Sequence, residues 1–133
     1  DSIIDVGIEP YKLRDVKTLQ LVYDDNIDYS HKMIDRSALQ KNFEKRGQCD
    51  DILIVKNGFI TDTSYSNIVF YDGITWKTPS RPLLQGTKRQ LLLNLGLIEE
   101  ADITPKDIPF FQLCRIINAM IDFEDEIDVI VQM

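Results

Sequence analysis

Two tight-turn signals, Asn57-Gly58 and Asp72-Gly73, constrain the fold of this chain more than any other feature. Each pair separates short runs of apolar and β-branched residues. Such a pair between two strand-forming runs is a strong local signal for a β-hairpin. The sequence therefore predicts two hairpins in succession, with strands over 51–55, 59–61, 66–71 and 74–77.

Helical patterns are few. Apolar spacing predicts a helix over 27–46 that stops at Gly47. Thr87 and Gln90 have the spacing of a capping box, which predicts a second helix over about 88–95, ending at Gly96. The other predicted elements are strands over 3–8, 14–22, 115–121 and 127–131, and a helical turn that begins at Thr104-Pro105.

These elements predict a single α+β domain over residues 1–133, built as a hairpin-rich mixed sheet or pseudo-barrel with a few helices. Residues on the apolar phase of each element are expected to form one core. They are Ile3, Ile4, Leu19, Leu21, Ile52, Ile54, Ile68, Phe70, Leu92 and Ile117.

Composition excludes several classes of function. The 133 residues are 44% apolar, enough for an ordinary core, and carry a formal charge of −7, which disfavours nucleic-acid binding. No apolar run approaches the roughly 18 residues of a membrane span, and the amino terminus lacks a basic leader, so we expect a cytoplasmic protein. Cys49 and Cys114 are read as reduced, mostly buried thiols, His31 as a solvent-facing helix residue and 122–126 as a solvated acidic turn. We therefore expect no metal site.

Lys17 is the first candidate for chemistry. If its segment is a strand, period-two alternation places Lys17 on the same face as Leu19 and Leu21. An ammonium on an apolar face is costly unless the lysine is neutral or covalently engaged, which is the condition that a Schiff-base lysine requires. The alternative is a lysine that snorkels at a strand end.

A second group of candidates runs from Asp62 to the helix that follows Gly86. Asp62, a cluster of hydroxyls and Asn67 precede a short apolar strand, and a Gly-Thr turn then opens a helix. The first amides of a helix are unpaired donors that suit a phosphate, so together these are the parts of a phosphate-bearing cofactor site. The alternative for Asp62 is a carboxylate that only caps a turn.

This order of residues resembles the signature of the class IV aminotransferases, which are pyridoxal-phosphate enzymes of fold type IV. The segment Asp15-Val16-Lys17-Thr18-Leu19 is similar to the one that bears the cofactor lysine in D-amino-acid aminotransferases. The resemblance covers about 9–129. Asp62 stands where the family usually has Glu.

The resemblance implies roles for individual residues. Lys17 and Asp62 would be catalytic, with Lys17 carrying the cofactor covalently and shuttling a proton while Asp62 holds the pyridinium. Ser66 and Asn67 would fix the ring and its loop, and Leu84 would pack on one ring face. The other expected cofactor-binding residues are Gly86, Thr87 and Lys88 at the phosphate turn, and Asn118 and Ala119 on its second side.

The resemblance also implies that the chain corresponds to the large carboxy-terminal domain, without the small amino-terminal domain that completes the pocket. The expected partners are a small amino-acid-like or aminodeoxychorismate substrate and a second copy of the chain, with no membrane or nucleic acid. Asn118-Ala119-Met120 is more similar to the aminodeoxychorismate lyase branch than to the transaminases. A transaminase, or a remnant domain without activity, remains the alternative.

Overall fold

The computed structural model describes residues 16–27, 36–118 and 128–132. Strands in these residues are β1 (Thr18–Tyr23), β2 (Asp51–Lys56), β3 (Phe59–Ile60), β4 (Asn67–Tyr71), β5 (Trp76–Pro79), β6 (Glu99–Ala101), β7 (Leu113–Ile117) and β8 (Ile130–Gln132). Helices are α1 (Arg36–Phe43) and α2 (Thr87–Asn94), with 3-10 turns at Glu44–Arg46 and Pro105–Phe110. The predicted α+β class is confirmed.

The first sheet has the strand order β3-β2-β1-β8. Strand β1 lies parallel to both of its neighbours, whereas β2 and β3 are antiparallel. Asn57 and Gly58 have φ values of 53° and 87°, as a type I′ turn requires at its two central residues. The first predicted hairpin is therefore confirmed.

The second sheet has the order β6-β5-β4-β7, in which β4 is antiparallel to both neighbours and β5 is parallel to β6. The second predicted hairpin is confirmed, but its returning strand begins at Trp76 and not at Ile74. The carboxylate of Asp72 accepts hydrogen bonds from the backbone N–H groups of Ile74 and Thr75, both at 2.8 Å. These bonds hold both residues in the turn.

The apolar interior of the described residues is divided into three clusters, so the prediction of one core was wrong, although the eight predicted core residues that are described are all buried. Leu19, Leu21, Ile68 and Phe70 lie in a cluster shared by the two sheets. Ile52 and Ile54 belong to a second cluster with Leu39 of α1, and Leu92 and Ile117 to a third on the α2 side. Successive strand residues face opposite sides, so each sheet buries both of its faces. Ile3 and Ile4 lie outside the described residues.

The first helix is shorter than predicted where it can be compared. Ile27 is buried but not helical, and residues 28–35, including His31, lie outside the described part of the chain. The predicted end is confirmed, since the 3-10 turn that follows α1 stops at Gly47, whose φ is 60°.

The predicted capping box at the second helix was wrong. Gly86 is the N-cap of α2, no side chain caps this helix, and exposed Thr87 is its first helical residue. A capping box is found instead at the later 3-10 turn, where the Asp107 carboxylate accepts from the backbone N–H of Thr104 at 2.9 Å. The turn at Thr104-Pro105 is thus confirmed.

Strand ends account for the remaining differences. The strand predicted over 14–22 begins at Thr18 and extends to Tyr23. For the strands predicted over 115–121 and 127–131, the described residues contain strands at Leu113–Ile117 and Ile130–Gln132. The strand predicted over 3–8 and the acidic turn at 122–126 lie outside the described residues. Neither α1 nor α2 is long or apolar enough to cross a membrane, and they are the only α-helices in the described ranges.

Candidate functional site

Asp62 is a fully buried carboxylate held at one oxygen only. It follows β3, and its Oδ2 accepts hydrogen bonds from the backbone N–H groups of Leu83 (2.9 Å) and Leu84 (2.8 Å). Within the described residues its Oδ1 has no hydrogen-bond partner. The neighbouring hydroxyl of Thr61 donates instead to the carbonyl of Ile54 at 2.7 Å. Asp62 is therefore oriented by the chain and keeps one buried acceptor for a donor.

Burial also sets the protonation of this carboxyl group. Loss of hydration raises the pKa of Asp62 to about 7, against the lowering effects of the Leu84 and Leu83 N–H bonds and of the positive charge of Arg89. A partner that donates a hydrogen bond or carries a positive charge would favour the ionised form. The group therefore changes protonation near neutral pH.

Asn67, the first residue of β4, connects Asp62 to the loop ahead of α2. Its side-chain amide donates to the Leu84 carbonyl at 3.0 Å and lies 3.5 Å from Asp62 Oδ2. A Cβ atom on Gly86 would lie 2.1 Å from Asn67 Oδ1. Because Gly86 has an ordinary φ of −68°, it is required here for space and not for backbone conformation.

The beginning of α2 has the form of an anion site. Gly86 brings no side chain to the cap, and the first intrahelical hydrogen bond runs from the N–H of Gln90 to the Gly86 carbonyl. The first-turn amides of a helix have no acceptor within that helix, and the helix dipole favours a negative charge there. Thr87 is exposed and Lys88 half-buried at this turn.

Ser66, which precedes Asn67 in the chain, is hydrogen-bonded to Asn118. The Asn118 side-chain amide donates to Ser66 Oγ at 2.8 Å, because the β4–β7 register pairs Asn67 with Ile117. The Ser66 N–H bonds in turn to the Thr63 hydroxyl at 2.9 Å. Ala119 lies outside the described residues.

Hydrogen bonds and close packing join most of the predicted site residues into one cluster. It comprises Asp62, Ser66, Asn67, Leu84, Gly86 and Asn118, and it lies where the ends of β3 and β7 meet the starts of β4 and α2. Bringing these residues together is what the sequence pattern predicted. Their binding of a cofactor stays a prediction.

Lys17 differs from expectation, because its side chain is exposed and not buried. It precedes β1, at the end of the sheet, while Leu19 and Leu21 continue into the core. Its backbone N–H donates to the carboxylate of Asp50 at 2.8 Å. An exposed amine is accessible to a ligand, but it lacks the apolar surroundings that the alternation predicted.

Contacts around the start of β2 extend from Lys17 toward the Asp62 loop. Asp51 follows the acid that holds the Lys17 backbone, and it pairs with Leu19 in the β1–β2 register. The hydroxyl of Ser64 donates to Asp51 Oδ2 at 3.0 Å. Ser64 lies two residues after Asp62 in the chain, so the carboxylates of Asp50 and Asp51 accept hydrogen bonds from both the backbone of Lys17 and the loop that follows Asp62.

Two buried charged residues were missed by sequence reasoning. Burial raises the pKa of Asp51 to about 6, and Arg89 is only 3% exposed. A signal for Arg89 existed, since a cation three residues after the helix-opening Gly86 returns to the side of the helix that faces the sheet. Asp51 opens a strand and looks like a polar end residue, so nothing in its spacing identified it.

Among the described residues, no three His, Cys, Asp or Glu side chains lie close enough to hold a metal ion. Cys49 and Cys114 are buried and form no disulfide bond. The chemistry of the cluster is that of a buried acid, amides, hydroxyls and a helix terminus.

Comparison with known proteins assigns this arrangement to a family. Residues 14–123 match the amino-transferase class IV family, and this range makes up most of the 133-residue chain. The chain belongs to the amino-transferase class IV family. The resemblance found in the sequence is thereby confirmed, and the matched range contains the whole cluster around Asp62.

Two individual proteins are similar to a large part of this chain. An uncharacterized protein of Haemophilus influenzae is 46% identical over 110 residues, which make up 83% of this chain and 58% of that protein. The crystal structure of a putative 4-amino-4-deoxychorismate lyase from Haemophilus somnus is 37% identical, with a TM-score of 0.76, and the match covers 81% of this chain and 56% of that one. This chain thus spans a little over half the length of each.

A solved structure of lower sequence identity shares the fold. The pyridoxal-phosphate-bound form of a hypothetical aminotransferase from Mycobacterium tuberculosis has a TM-score of 0.69 at 16% identity, covering 90% of this chain and 49% of that one. At this identity the likeness concerns the fold alone. The mixed sheets and few helices of the present chain match this fold type.

Proposed function

We propose that this chain is the cofactor-binding part of a pyridoxal-phosphate enzyme, and that its chemistry is of the 4-amino-4-deoxychorismate lyase type, releasing pyruvate and 4-aminobenzoate. Membership of the class IV family supports the cofactor, and the lyase named among the relatives supports the reaction. The observation that carries the proposal is the buried Oδ1 of Asp62, which has no hydrogen-bond partner among the described residues.

A pyridine nitrogen is a suitable partner for that oxygen. Asp62 is fixed by two backbone N–H groups on Oδ2, so its second oxygen has a defined direction, and no described residue donates to it. A protonated ring nitrogen would supply both the hydrogen bond and a positive charge that favours the ionised carboxylate. Asp62 would thereby hold the proton on that nitrogen.

The residues of the helix turn fit the phosphate group. Gly86 leaves room for close approach of the backbone, and the first turn of α2 presents amides and the positive end of the helix dipole. Asn67 holds the preceding loop through the Leu84 carbonyl, so the turn and the carboxylate are positioned by one side chain. A ligand with a pyridine ring and a phosphate would meet both groups.

Lys17 would move the proton. Pyridoxal phosphate, when bound, supplies an electron sink for the pair left on the substrate's α-carbon. The exposed amine of Lys17 would hold the cofactor covalently and, once released, take the α-proton as a general base. In a lyase the ring of the substrate becomes aromatic as pyruvate leaves, whereas in a transaminase the amino group passes to a keto acid.

Absorbance spectroscopy of the intact protein tests the role of Asp62. Addition of pyridoxal phosphate should produce a visible absorbance band. Asp62→Asn should lower turnover by about 100-fold or more, because Asn cannot keep the ring nitrogen protonated. The affinity for the cofactor should change little. Asp72→Asn is the matched control, since Asp72 serves only its hairpin turn. Unchanged turnover in Asp62→Asn would reduce Asp62 to a structural residue.

The products separate the two chemistries. With aminodeoxychorismate, a lyase yields equal amounts of fluorescent 4-aminobenzoate and pyruvate without a keto-acid acceptor. Formation of an amino acid from a keto acid, with no 4-aminobenzoate, would support a transaminase instead. Cofactor binding without either product would support the remnant-domain alternative.

A further inference from the structure

Lys17 departs from the alternation of β1, and the burial of its neighbours shows where the alternation breaks. In an unbroken strand, Lys17 would share the face of Leu19 and Leu21, and Val16 would lie on the opposite face. Instead, Val16 is buried in the same cluster as Leu19 and Leu21, whereas Lys17 is exposed. The chain is therefore out of phase by one residue just ahead of β1, and Lys17 is the residue that is turned outward.

The carboxylate of Asp50 lies at this break. Its Oδ2 accepts hydrogen bonds from the consecutive backbone N–H groups of Lys17 (2.8 Å) and Thr18 (3.2 Å). Consecutive N–H groups of an extended strand point to opposite sides, so two that converge on one oxygen indicate a turn. The same carboxylate oxygen thus marks the turn at which the phase changes.

The register of the first sheet explains why Asp50 reaches this turn. Strand β2 begins at Asp51, which pairs with Leu19, so Asp50 stands just before β2 and beside Thr18. Its backbone N–H donates to the Thr18 carbonyl and to Thr18 Oγ1, both at 3.1 Å. Asp50 is thus attached to Thr18 through its own backbone, while its side chain reaches back to Lys17.

The backbone of Lys17 is held on its other side as well. Its carbonyl accepts a hydrogen bond from the N–H of Ile130, the first residue of β8, at 2.8 Å. The N–H of Lys17 is in turn the largest cause of a lowered pKa of Asp50, so that carboxyl group is ionised at neutral pH and is a strong acceptor. Both backbone groups of Lys17 are therefore fixed, one by a strand and one by a side chain.

A turn of the same form is found at the second hairpin. Oδ1 of Asp72 accepts from the consecutive N–H groups of Ile74 and Thr75, and neither of these residues belongs to a strand. The side chain of Ile74 is 85% exposed, although an apolar side chain favours burial. In both places, one carboxylate oxygen with two consecutive amides accompanies a non-extended backbone and an outward side chain.

We propose that Asp50 is the positioning residue of Lys17: its carboxylate fixes a turn ahead of β1 that directs the amine away from the core, to a place that a ligand can reach. Asp50 acts through the backbone of Lys17 and takes no part in the reaction. Without the turn, alternation would carry the lysine onto the face of Leu19 and Leu21, where an ammonium is costly. The value of this role for catalysis rests on the proposed function, whereas the turn itself does not.

Carbon-13 and amide NMR of the cofactor-free intact protein tests the turn. The Cα and Cβ shifts of Lys17 and Thr18 report their backbone conformation. Asp50→Ala should move these shifts toward extended-strand values and should speed amide exchange of Lys17 by about tenfold, because the acceptor is lost. Asp50→Asn should keep the wild-type values, since its side-chain carbonyl can still accept both bonds.

Asp72→Ala is the matched control for the NMR measurement. It removes a carboxylate with the same pattern of two consecutive amides, at the other sheet. The shifts of Ile74 and Thr75 should change in this variant, and those of Lys17 should not. A change at Lys17 in Asp72→Ala would assign the effect to general loss of structure and overturn the proposal.

Covalent capture of the cofactor tests the position of the amine. The Lys17 amine joins the aldehyde carbon of pyridoxal phosphate with loss of water, and the rise of the visible band at saturating cofactor gives the rate. Asp50→Ala should slow this rate by about tenfold or more, because a misplaced amine attacks poorly. The affinity for pyridoxamine phosphate, which has no aldehyde, should stay unchanged, since Asp50 acts on Lys17 and not on the cluster around Asp62. Asp50→Asn should restore the capture rate.

Unchanged carbon shifts or an unchanged capture rate in Asp50→Ala would overturn the proposal. So would an equal loss of capture rate and of pyridoxamine phosphate affinity, because that result would mean a structural role only. Asp50 is exposed, and if Asp50→Ala does not fold, Asp50→Leu replaces it with the same expected results, since leucine is branched at the same atom but has no acceptor. If pyridoxal phosphate does not bind the wild-type protein, the proposed function fails, and the NMR measurement still decides whether Asp50 fixes the turn.

Discussion

Asp62 and Gly86 show how single residues define this site. The acid is buried, and one of its oxygens has no partner among the described residues. At the glycine, any side chain would clash with Asn67. Both features are costly for a protein that only needs to fold. Such costs are expected where a ligand later supplies the missing contact.

Gly86→Ala should weaken cofactor binding by about tenfold or more, since the added methyl group must displace the Asn67 side chain. The measurement is the dissociation constant for pyridoxal phosphate, read from absorbance. Gly58→Ala is the control. Its φ of 87° makes an alanine strained, but an added Cβ would have no atom within 4 Å apart from those of its chain neighbours. Equal affinities in the two variants would mean that the space at Gly86 serves folding alone.

Asp62 should make the cofactor-free protein less stable as pH rises. Its folded pKa of about 7 exceeds the usual value of 3.8, so the folded state binds more protons between these limits and the free energy of unfolding falls across that window. Asp62→Asn should remove this fall, which is on the order of 3 kcal/mol because one pKa unit corresponds to about 1.4 kcal/mol. Urea unfolding at pH 4.5 and pH 7.5 measures it. If the free energy of unfolding falls with pH as steeply in Asp62→Asn as in the wild type, the effect belongs to other groups.

At the scale of elements, turns were the most predictable part of the chain. Asn57-Gly58 and Asp72-Gly73 specify their hairpins locally, so both were found from the sequence. The start of α2 was misjudged, because the spacing of Thr87 and Gln90 is satisfied by chance, whereas Gly86 occupies the cap in contact with Asn67. That contact joins residues far apart in sequence, which no local pattern reports.

The two helical starts should respond differently to loss of a hydroxyl. Thr87→Ala should change the free energy of unfolding by less than about 0.5 kcal/mol, because Thr87 is exposed and does not cap α2. Thr104→Ala should cost about 1 kcal/mol, since the Thr104 hydroxyl takes part in the box with Asp107. Denaturant unfolding without cofactor compares them. A larger loss of unfolding free energy in Thr87→Ala than in Thr104→Ala would mean that Thr87 caps α2, as the sequence predicted.

At the scale of the whole molecule, the sequence predicted the fold class and most of the residues that the structure brings together around Asp62. It failed on burial: Lys17 is exposed, Arg89 is buried, and the single expected core is three clusters. Burial depends on how the two sheets and α2 pack together, and alternation along one strand does not contain that information. A homodimer stays a prediction, which sedimentation of the intact protein can test.

The central claim is that Lys17 and Asp62 serve one pyridoxal-phosphate site. Borohydride reduction of the intact protein with bound cofactor, followed by peptide mapping, tests it most directly. We expect the pyridoxyl group on Lys17, and its loss from that peptide in Lys17→Arg, with exposed lysines such as Lys41 unmodified. Modification of another lysine while Lys17 stays unmodified would contradict the account.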